Sequence, residues 1–581
     1  MQYPTLSPVS QSYEFIERFG GYRHTENLDA GEFFNMENLT ADHYPLLAPR
    51  APRSVIGDVP KNTVLLAKDT LCYPEKTGIN VGGYFVDLAL LPYHSVSLLS
   101  MGAYIILLTK DENGNDLDKK WLSTADLSLF GNVDAIFEST TAVTFEICKQ
   151  DGETYCAAIV SSVMPEDPRP LELWLDTSVT PAVLRRYSSL SQWEEEAGTC
   201  VRISCPNVGA AFSMGDGVML YGPSGDKLGA LTGNHVIRSL GRDHIVIDGI
   251  LDGTYVMTEP IRVERRMPKM DHLTVAGNRL WGCRYGTAND GSIVNEIYCS
   301  RLGDFKNWSC FEGISTDSYV AGVGTDGPFT AAVTHLGMPL FFKENHLHKV
   351  YGSYPANFRI LESALPGIQR GCERSAVTVG ETLCYKARDG VYAYDGALPV
   401  LLSAPLGNTR YCRGAAGALG DKYYICMRDE KNVPHLFVYD LRAALWHRED
   451  SVDASCFAAL DGKMYFVDQK RGKLYVMNEG TESVRWMAET GTVGAVDPAR
   501  RTLTKLKLRL KLPLGSALSV FIRYDGTGGF QHLGTFYGST STAFELPILP
   551  RRCDHFTLRL TGKGDFRLFS LTKVMERRMD L

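Results

Sequence analysis

Several stretches of this chain have residue types and spacings that chemistry could use. DENGND, residues 111–116, lines up side-chain oxygens as a calcium loop does. The EF-hand pattern, however, needs Gly where Asp116 stands and a bidentate Glu where Leu122 stands. A solvated hairpin with an Asn113-Gly114 tip accounts for it better. GVGTDG, Gly322 to Gly327, spells GxGxxG, but Pro328 and the strand-like FTAAVTHLG follow, with no helix to offer its N-terminus to a pyrophosphate. His346 and His348 sit two apart on a strand and so share a face, yet no third metal ligand is placed by the sequence. They are expected to be exposed strand histidines. Asp389-Gly390, Asp395-Gly396 and Asp461-Gly462 could supply the paired carboxylates of a glycosidase, but each falls where a hairpin needs its turn. GxSxG, GxxxxGK[ST] and HExxH are all missing. The expectation is therefore a chain that is not an enzyme, with no catalytic, cofactor-binding or metal residues and no cofactor.

One further comparison is closer. CSRLGDFKNW, Cys299 to Trp308, is similar to the Asp-box S-x-D-x-G-x-T-W of sialidase propellers. Here Leu302 occupies the Asp position and Asp304 the Gly position, and the motif occurs once rather than once per blade. It serves a turn and points to no active site.

The bulk properties narrow the class. A length of 581 residues implies two to four domains. Hydrophobic content of 44% and charged content of 22% are ordinary for a globular protein. A net charge of −7 argues against a general nucleic-acid coat, though it suits a surface past which DNA slides. The 14 cysteines include no CxxC pair and read as small buried hydrophobes of a reducing compartment. MQYPTLSPVSQSYEF lacks a basic segment followed by an apolar one, and the apolar run near Val96–Leu108 is interrupted by Ser97, Ser100 and Gly102. Neither a signal peptide nor membrane insertion is expected.

The elements that would position any site are short strands and tight turns. The segment His272 to Trp308 reads as a hairpin entered through Gly277-Asn278, with Trp308 free to plug a neighbouring layer. Its Gly-turn-then-aromatic-strand pattern recurs at Gly337, Gly380, Gly420 and Gly462, at intervals of about 40 to 43 residues after a first gap of about 60. That is the period of a four-stranded propeller blade. Gly102 opens a similar piece, and Gly83 a looser one. The five glycines at 277, 337, 380, 420 and 462 are assigned as structural blade turns.

PAVLRRYSSLSQWEEEAG, Pro181 to Gly198, shows helical spacing in Val183, Leu184, Tyr187, Leu190 and Trp193, and predicts an amphipathic helix. Beyond it, short strands separated by Gly-Asp and Asp-Gly turns from Thr199 to about Gly249 suggest a small closed barrel. In the tail, Leu506, Leu508, Leu510 and Leu512 alternate with Lys505, Lys507, Arg509 and Lys511, the pattern of a half-buried strand. The fold expected is all-β. N-terminal propeller blades fill residues 1–141, and an inserted domain with one helix and a small β-barrel fills 142–262. The remaining blades, six to eight in total, fill 263–497, and an antiparallel β-sandwich fills 498–581.

GNRLWGC, a hairpin and then EIYCSRLGDFKNW together resemble the blade of phage tail-nozzle proteins and related minor tail proteins of prophages. ENLTADHYPLLAPRAPR and ILPRRCDHFTLRLTGKGDFRLFSL are similar to the start and end of such proteins. FSMGDGVMLYG with NHVIRSLGRDHIVIDG is similar to their inserted barrel. The resemblance implies a structural tail component, made in a bacterial cytoplasm and carried in the virion tail. It would assemble as a ring, hexameric by expectation, against other tail or portal-proximal proteins, with DNA crossing the lumen without sequence-specific contact. The distinct C-terminal sandwich departs from nozzle proteins. It favours the alternative of a receptor- or carbohydrate-binding protein at the tail tip, and a glycan-active propeller enzyme ranks last.

Overall fold

The computed structural model describes residues 10–577 except 62, 156–157, 181, 197–198, 289 and 494–500. It is almost wholly β, with one short α-helix, Gly225–Leu228, among the described residues. Eight four-stranded sheets are found among the described residues, seven of them built from consecutive strands. One, Ile159–Ser161 to Trp193–Glu195, belongs to the region 142–262, and the other seven recur along the rest of the chain. These seven begin at Leu66–Ala67, Ser95–Met101, His272–Ala276, Ala331–His335, Val377–Val379, Cys412–Leu419 and Ala454–Leu460.

The last of these sheets is completed by a strand from the other end of the chain. Arg53–Asp58 pairs antiparallel with Lys473–Met477 and so becomes the fourth strand beside Ala454–Leu460 and Lys463–Asp468. Ion pairs reinforce the joint. The buried Arg53 guanidinium meets Glu449 and Asp450, the latter at 2.9 Å, and lies 5.2 Å from the Phe466 ring.

The turns behave as glycine chemistry requires. Gly277, Gly337, Gly380, Gly420 and Gly462 each lie between the first and second strands of a sheet, with φ of 58°, 75°, 60°, 57° and 72°. A Cβ at any of the five would meet no atom within 4 Å, so left-handed φ, and not crowding, is what these positions demand. Gly417 shows the opposite case. Its φ is not positive, but a Cβ there would fall 2.5 Å from Phe457 Cβ, so its absence lets the sheets of Cys412–Leu419 and Ala454–Leu460 approach.

The chain divides into two compact units, each with its own core. One comprises Met1–Leu98, Phe342–Leu347 and Ser363–Leu581. Its largest feature is a ten-stranded sheet organised on one 24-residue strand, Arg501–Tyr524. Leu506, Leu508, Leu510 and Leu512 are buried while Lys505, Lys507, Arg509 and Lys511 face solvent, as the sequence alternation predicts. The first half of this strand pairs with Arg567–Arg577, and the second half with Phe556–Lys563. The tail, expected to stand alone from residue 498, shares this sheet with the opening of the chain. Ser10–Ile16 pairs with Arg567–Arg577, and Glu32–Glu37 joins through Arg485–Thr490.

The other unit comprises Leu99–Phe341 and His348–Glu362. In it an eight-stranded sheet runs from Ala135–Glu138 to Tyr255–Met257 around a core of Val143, Phe145, Val201, Ile203, Ile245 and Ile247. The helix expected over Pro181 to Gly198 is not formed by its described residues. Val183–Tyr187 and Trp193–Glu195 are strands of a four-stranded sheet, paired Arg185 to Glu195 and Tyr187 to Trp193. The serines decide this. Ser188 N–H donates to the Gln192 carbonyl at 2.8 Å and Ser191 takes φ 60°, closing a turn where helix would have to continue. Reversal then stacks Trp193 against Trp174 and Tyr187, with centroids 5.4 and 5.2 Å apart.

Trp308 does plug a layer within this unit, buried with Phe305, Leu280 and Ile106. Arg279, also buried, donates to the carbonyls of Ser300 at 2.9 Å and Ser315 at 2.7 Å, fixing the loop that follows.

Candidate functional site

The concavity richest in polar chemistry belongs to the unit containing both chain ends. It is formed where the second and third strands of a sheet turn and where one sheet connects to the next. Thr382–Lys386 ends in a tight loop, with Ala387 N–H donating to the Gly390 carbonyl at 2.8 Å. The connection from Val400–Leu401 crosses directly over it. Leu402 N–H donates to the Val391 carbonyl and Val391 N–H to Ser403 Oγ, at 2.8 and 2.9 Å. A Cβ on Gly390 would sit 2.4 Å from Ser403 Oγ and 2.5 Å from Leu401 Cδ1, so the connection packs closely over the glycine. Asp389-Gly390, read from sequence as a hairpin turn, does join the paired strands Thr382–Lys386 and Val391–Tyr394.

The loop presents Arg388 and Asp389 to solvent, and the connection beyond Ser403 brings Arg410 and Tyr411 alongside. A cavity of about 550 Å³ lies here, and one of about 410 Å³ lies beside it, walled by Glu344, Asn345 and Pro366. Both are lined by Arg388, Asp389 and Arg410. A third, wider recess of about 1000 Å³ continues past Asn408 and Thr409 to His24 and Glu26. Gly407 permits that continuation. Its φ is 76°, and a Cβ would lie 2.2 Å from the His24 carbonyl.

Charges in this groove are unevenly tied. Lys386 is buried, donates to Gln369 Oε1 at 3.0 Å and to the Ala387 carbonyl, and burial lowers its pKa. Asp389 accepts a 2.6 Å hydrogen bond from Tyr392 Oη, and Glu344 accepts from Arg370 N–H at 3.3 Å. Tyr411 packs edge-on against Phe437, and burial raises its pKa. Arg388 and Arg410, both exposed, make no ion pair or hydrogen bond among the described residues. Two guanidinium groups with their donors available are suited to acceptors that present two oxygens side by side, carboxylate or phosphate.

Of the residues singled out by sequence, Asp389 and Gly390 lie in this groove. Asp395 is an exposed turn residue bonded to Ala397 N–H at 3.0 Å, and Asp461 takes φ 50° beside Gly462. Asp111 caps its own hairpin, accepting from Asn113 and Asn115 N–H at 2.8 Å. The Gly322–Gly327 loop is held by Asn295, which donates to the carbonyls of Val323 and Thr325. His348, expected at the surface, is buried and bonded to Thr325 Oγ1 at 2.8 Å, because its strand packs against Phe329. No group of three or more His, Cys, Asp or Glu able to hold a metal ion occurs among the described residues. Nothing in sequence spacing marks Arg388, Arg410 and Tyr411 as partners; the crossing over Gly390 unites them.

No family model and no curated protein matches the chain. Solved structures do. An endosialidase of phage phi92 matches at 9% identity and TM-score 0.27, over 82% of this chain and 70% of its own. An exo-β-1,3-galactanase from Phanerochaete chrysosporium matches at 8% and 0.22, over 52% and 95%. A Trypanosoma rangeli sialidase bound to sialic acid matches at 10% and 0.22, over 92% and 96%. Glycan-cleaving enzymes among these matches overturn the sequence-based expectation that the chain is not an enzyme, and that expectation is dropped. Likenesses this distant assign no activity in its place.

Proposed function

We propose that the chain is a structural component of a phage or prophage tail, assembling with copies of itself as a ring around the DNA path. Seven of its eight four-stranded sheets would be propeller blades, one of them completed by Arg53–Asp58, and the eight-stranded sheet would be a small inserted barrel. The observation that carries this reading is the apolar character of the outermost strands. In the unit with both chain ends, Tyr84, Phe85, Val55, Ile56, Val400 and Leu401 project into solvent from fourth strands, Tyr84 at 73% exposure and Val400 at 62%. In the other unit Phe130, Val320 and Leu361 do the same. Apolar side chains repeated along otherwise unpaired strand edges are what self-assembly or a protein partner covers. The sequence resemblance to tail proteins supplies the context, and the acidic net charge favours passage of DNA over its retention.

The test is electron microscopy and sedimentation of the purified full chain over a range of concentrations. Closed rings of fixed copy number are expected. A chain that stays monomeric at the highest concentration, with bare outer strands, overturns the proposal.

A further inference from the structure

The groove at Arg388 and Arg410 has a chemistry of its own, separate from any assembly. We infer that it binds an acidic saccharide, a sugar chain bearing carboxylate groups, along the three joined recesses. The two arginines line both of the recesses that adjoin here, and neither makes an ion pair among the described residues. A ligand carboxylate arriving there gains charge-assisted, bidentate hydrogen bonds without first breaking a protein ion pair.

The remainder of the lining selects the rest of the ligand. Asp389 and Glu344 lie beside the arginines, and Asp429 and Glu430 line the wide recess beyond Asn408 and Thr409. A DNA backbone offers these carboxylates no hydroxyl donors. They accept hydrogen bonds from sugar hydroxyls instead. Asn345, Asn408 and Thr409 add neutral donors and acceptors. Carboxylates carried on a hydroxyl-rich chain describe an acidic glycan.

Titration calorimetry of the full chain at low salt tests this, using oligogalacturonate and oligomeric sialic acid as probes. The methyl-esterified oligogalacturonate and a single-stranded DNA of equal charge serve as comparison ligands. At least one carboxylated oligosaccharide should bind, and esterification should abolish that binding. Arg388→Ala and Arg410→Ala should each weaken it tenfold or more while leaving the melting temperature unchanged. Arg471→Ala, an exposed arginine outside the groove, should bind as the parent does. The inference fails if neither acidic probe binds or if the ester binds equally well. It also fails if the groove variants retain full affinity, or if DNA binds as tightly with the same arginine dependence.

Discussion

The outer strands Leu445–Arg448 and Val400–Leu401 belong to successive sheets of one unit, and they meet their surroundings in opposite ways. Trp446 and His447 are almost wholly buried, whereas Val400 and Leu401 are 62% and 44% exposed. The difference is supplied by the start of the chain. Gly21 lies so close to the Trp446 carbonyl that a Cβ would fall 2.4 Å from it. Arg448 donates to Asn35 Oδ1 at 3.2 Å, and Asn38 N–H to the Glu449 carbonyl at 2.8 Å. Where the chain has a segment to spare, it covers the apolar edge; where it has none, the edge stays bare. The bare edges are thus surfaces of the same kind as the covered one, lacking only their cover.

This contrast can be broken in four ways, beginning with the largest effect. Trp446→Ala should destabilise the chain by about 3–5 kcal/mol in denaturant titrations, the usual cost of a truncated core tryptophan. A loss below about 1 kcal/mol would mean that the cover over this strand is loose.

The second test uses acid. Burial, helped by Lys422, pushes the His447 imidazole down to about 3. The folded chain therefore holds that ring neutral while the unfolded chain protonates it below its ordinary pKa. Stability from this group is complete above about pH 6.5 and is lost as pH falls towards 3, by about 2 kcal/mol at pH 5. His447→Gln should flatten the fall in melting temperature between pH 7 and 5. An unchanged slope would assign the acid sensitivity to other histidines, of which the buried His335 and the half-buried His435 also have lowered pKa values.

Third, Gly337→Val places a β-branched residue at φ 75° in open space and should cost about 1 kcal/mol or more through backbone strain alone. A thermal melt equal to the parent's would remove the turn assignment. The smallest effect on stability is expected at the bare edge. Val400→Lys with Leu401→Asp should change unfolding free energy by no more than about 0.5 kcal/mol. The same pair should abolish rings in the electron microscope, and rings that persist would place the assembly surface elsewhere.

Much of the scaffold was legible because it rests on local rules. Left-handed glycines recur at intervals of about 40 to 43 residues from Gly337 to Gly462, and the leucines of Arg501–Tyr524 alternate with cations over four consecutive pairs. Pro181 to Gly198 misled because five apolar residues at helical spacing also fit a hairpin whose turn falls among serines; only the partner strand Leu173–Asp176 distinguishes the two. His348 misled because a period of two assigns a face but not whether that face is covered. The groove was illegible for a different reason. Arg388 and Arg410 are brought together by a connection folding back over Gly390, and no short-range pattern encodes that return. Likewise, nothing in residues 10–37 announces that they complete the sheet of the tail and shield Trp446.

The pairing of Arg53–Asp58 with Lys473–Met477 also sets a schedule for synthesis. The first of these strands leaves the ribosome roughly four hundred residues before its partner, which at 5–20 residues per second is a wait of about 20–80 s. Through that interval Val55 and Ile56 travel with an unmated backbone edge, and their sheet cannot form until nearly the whole polypeptide exists. A ribosome stalled before Lys473 would hold a chain whose opening strand is still available to a neighbouring nascent copy, so premature pairing between chains on one messenger is the hazard this closure carries.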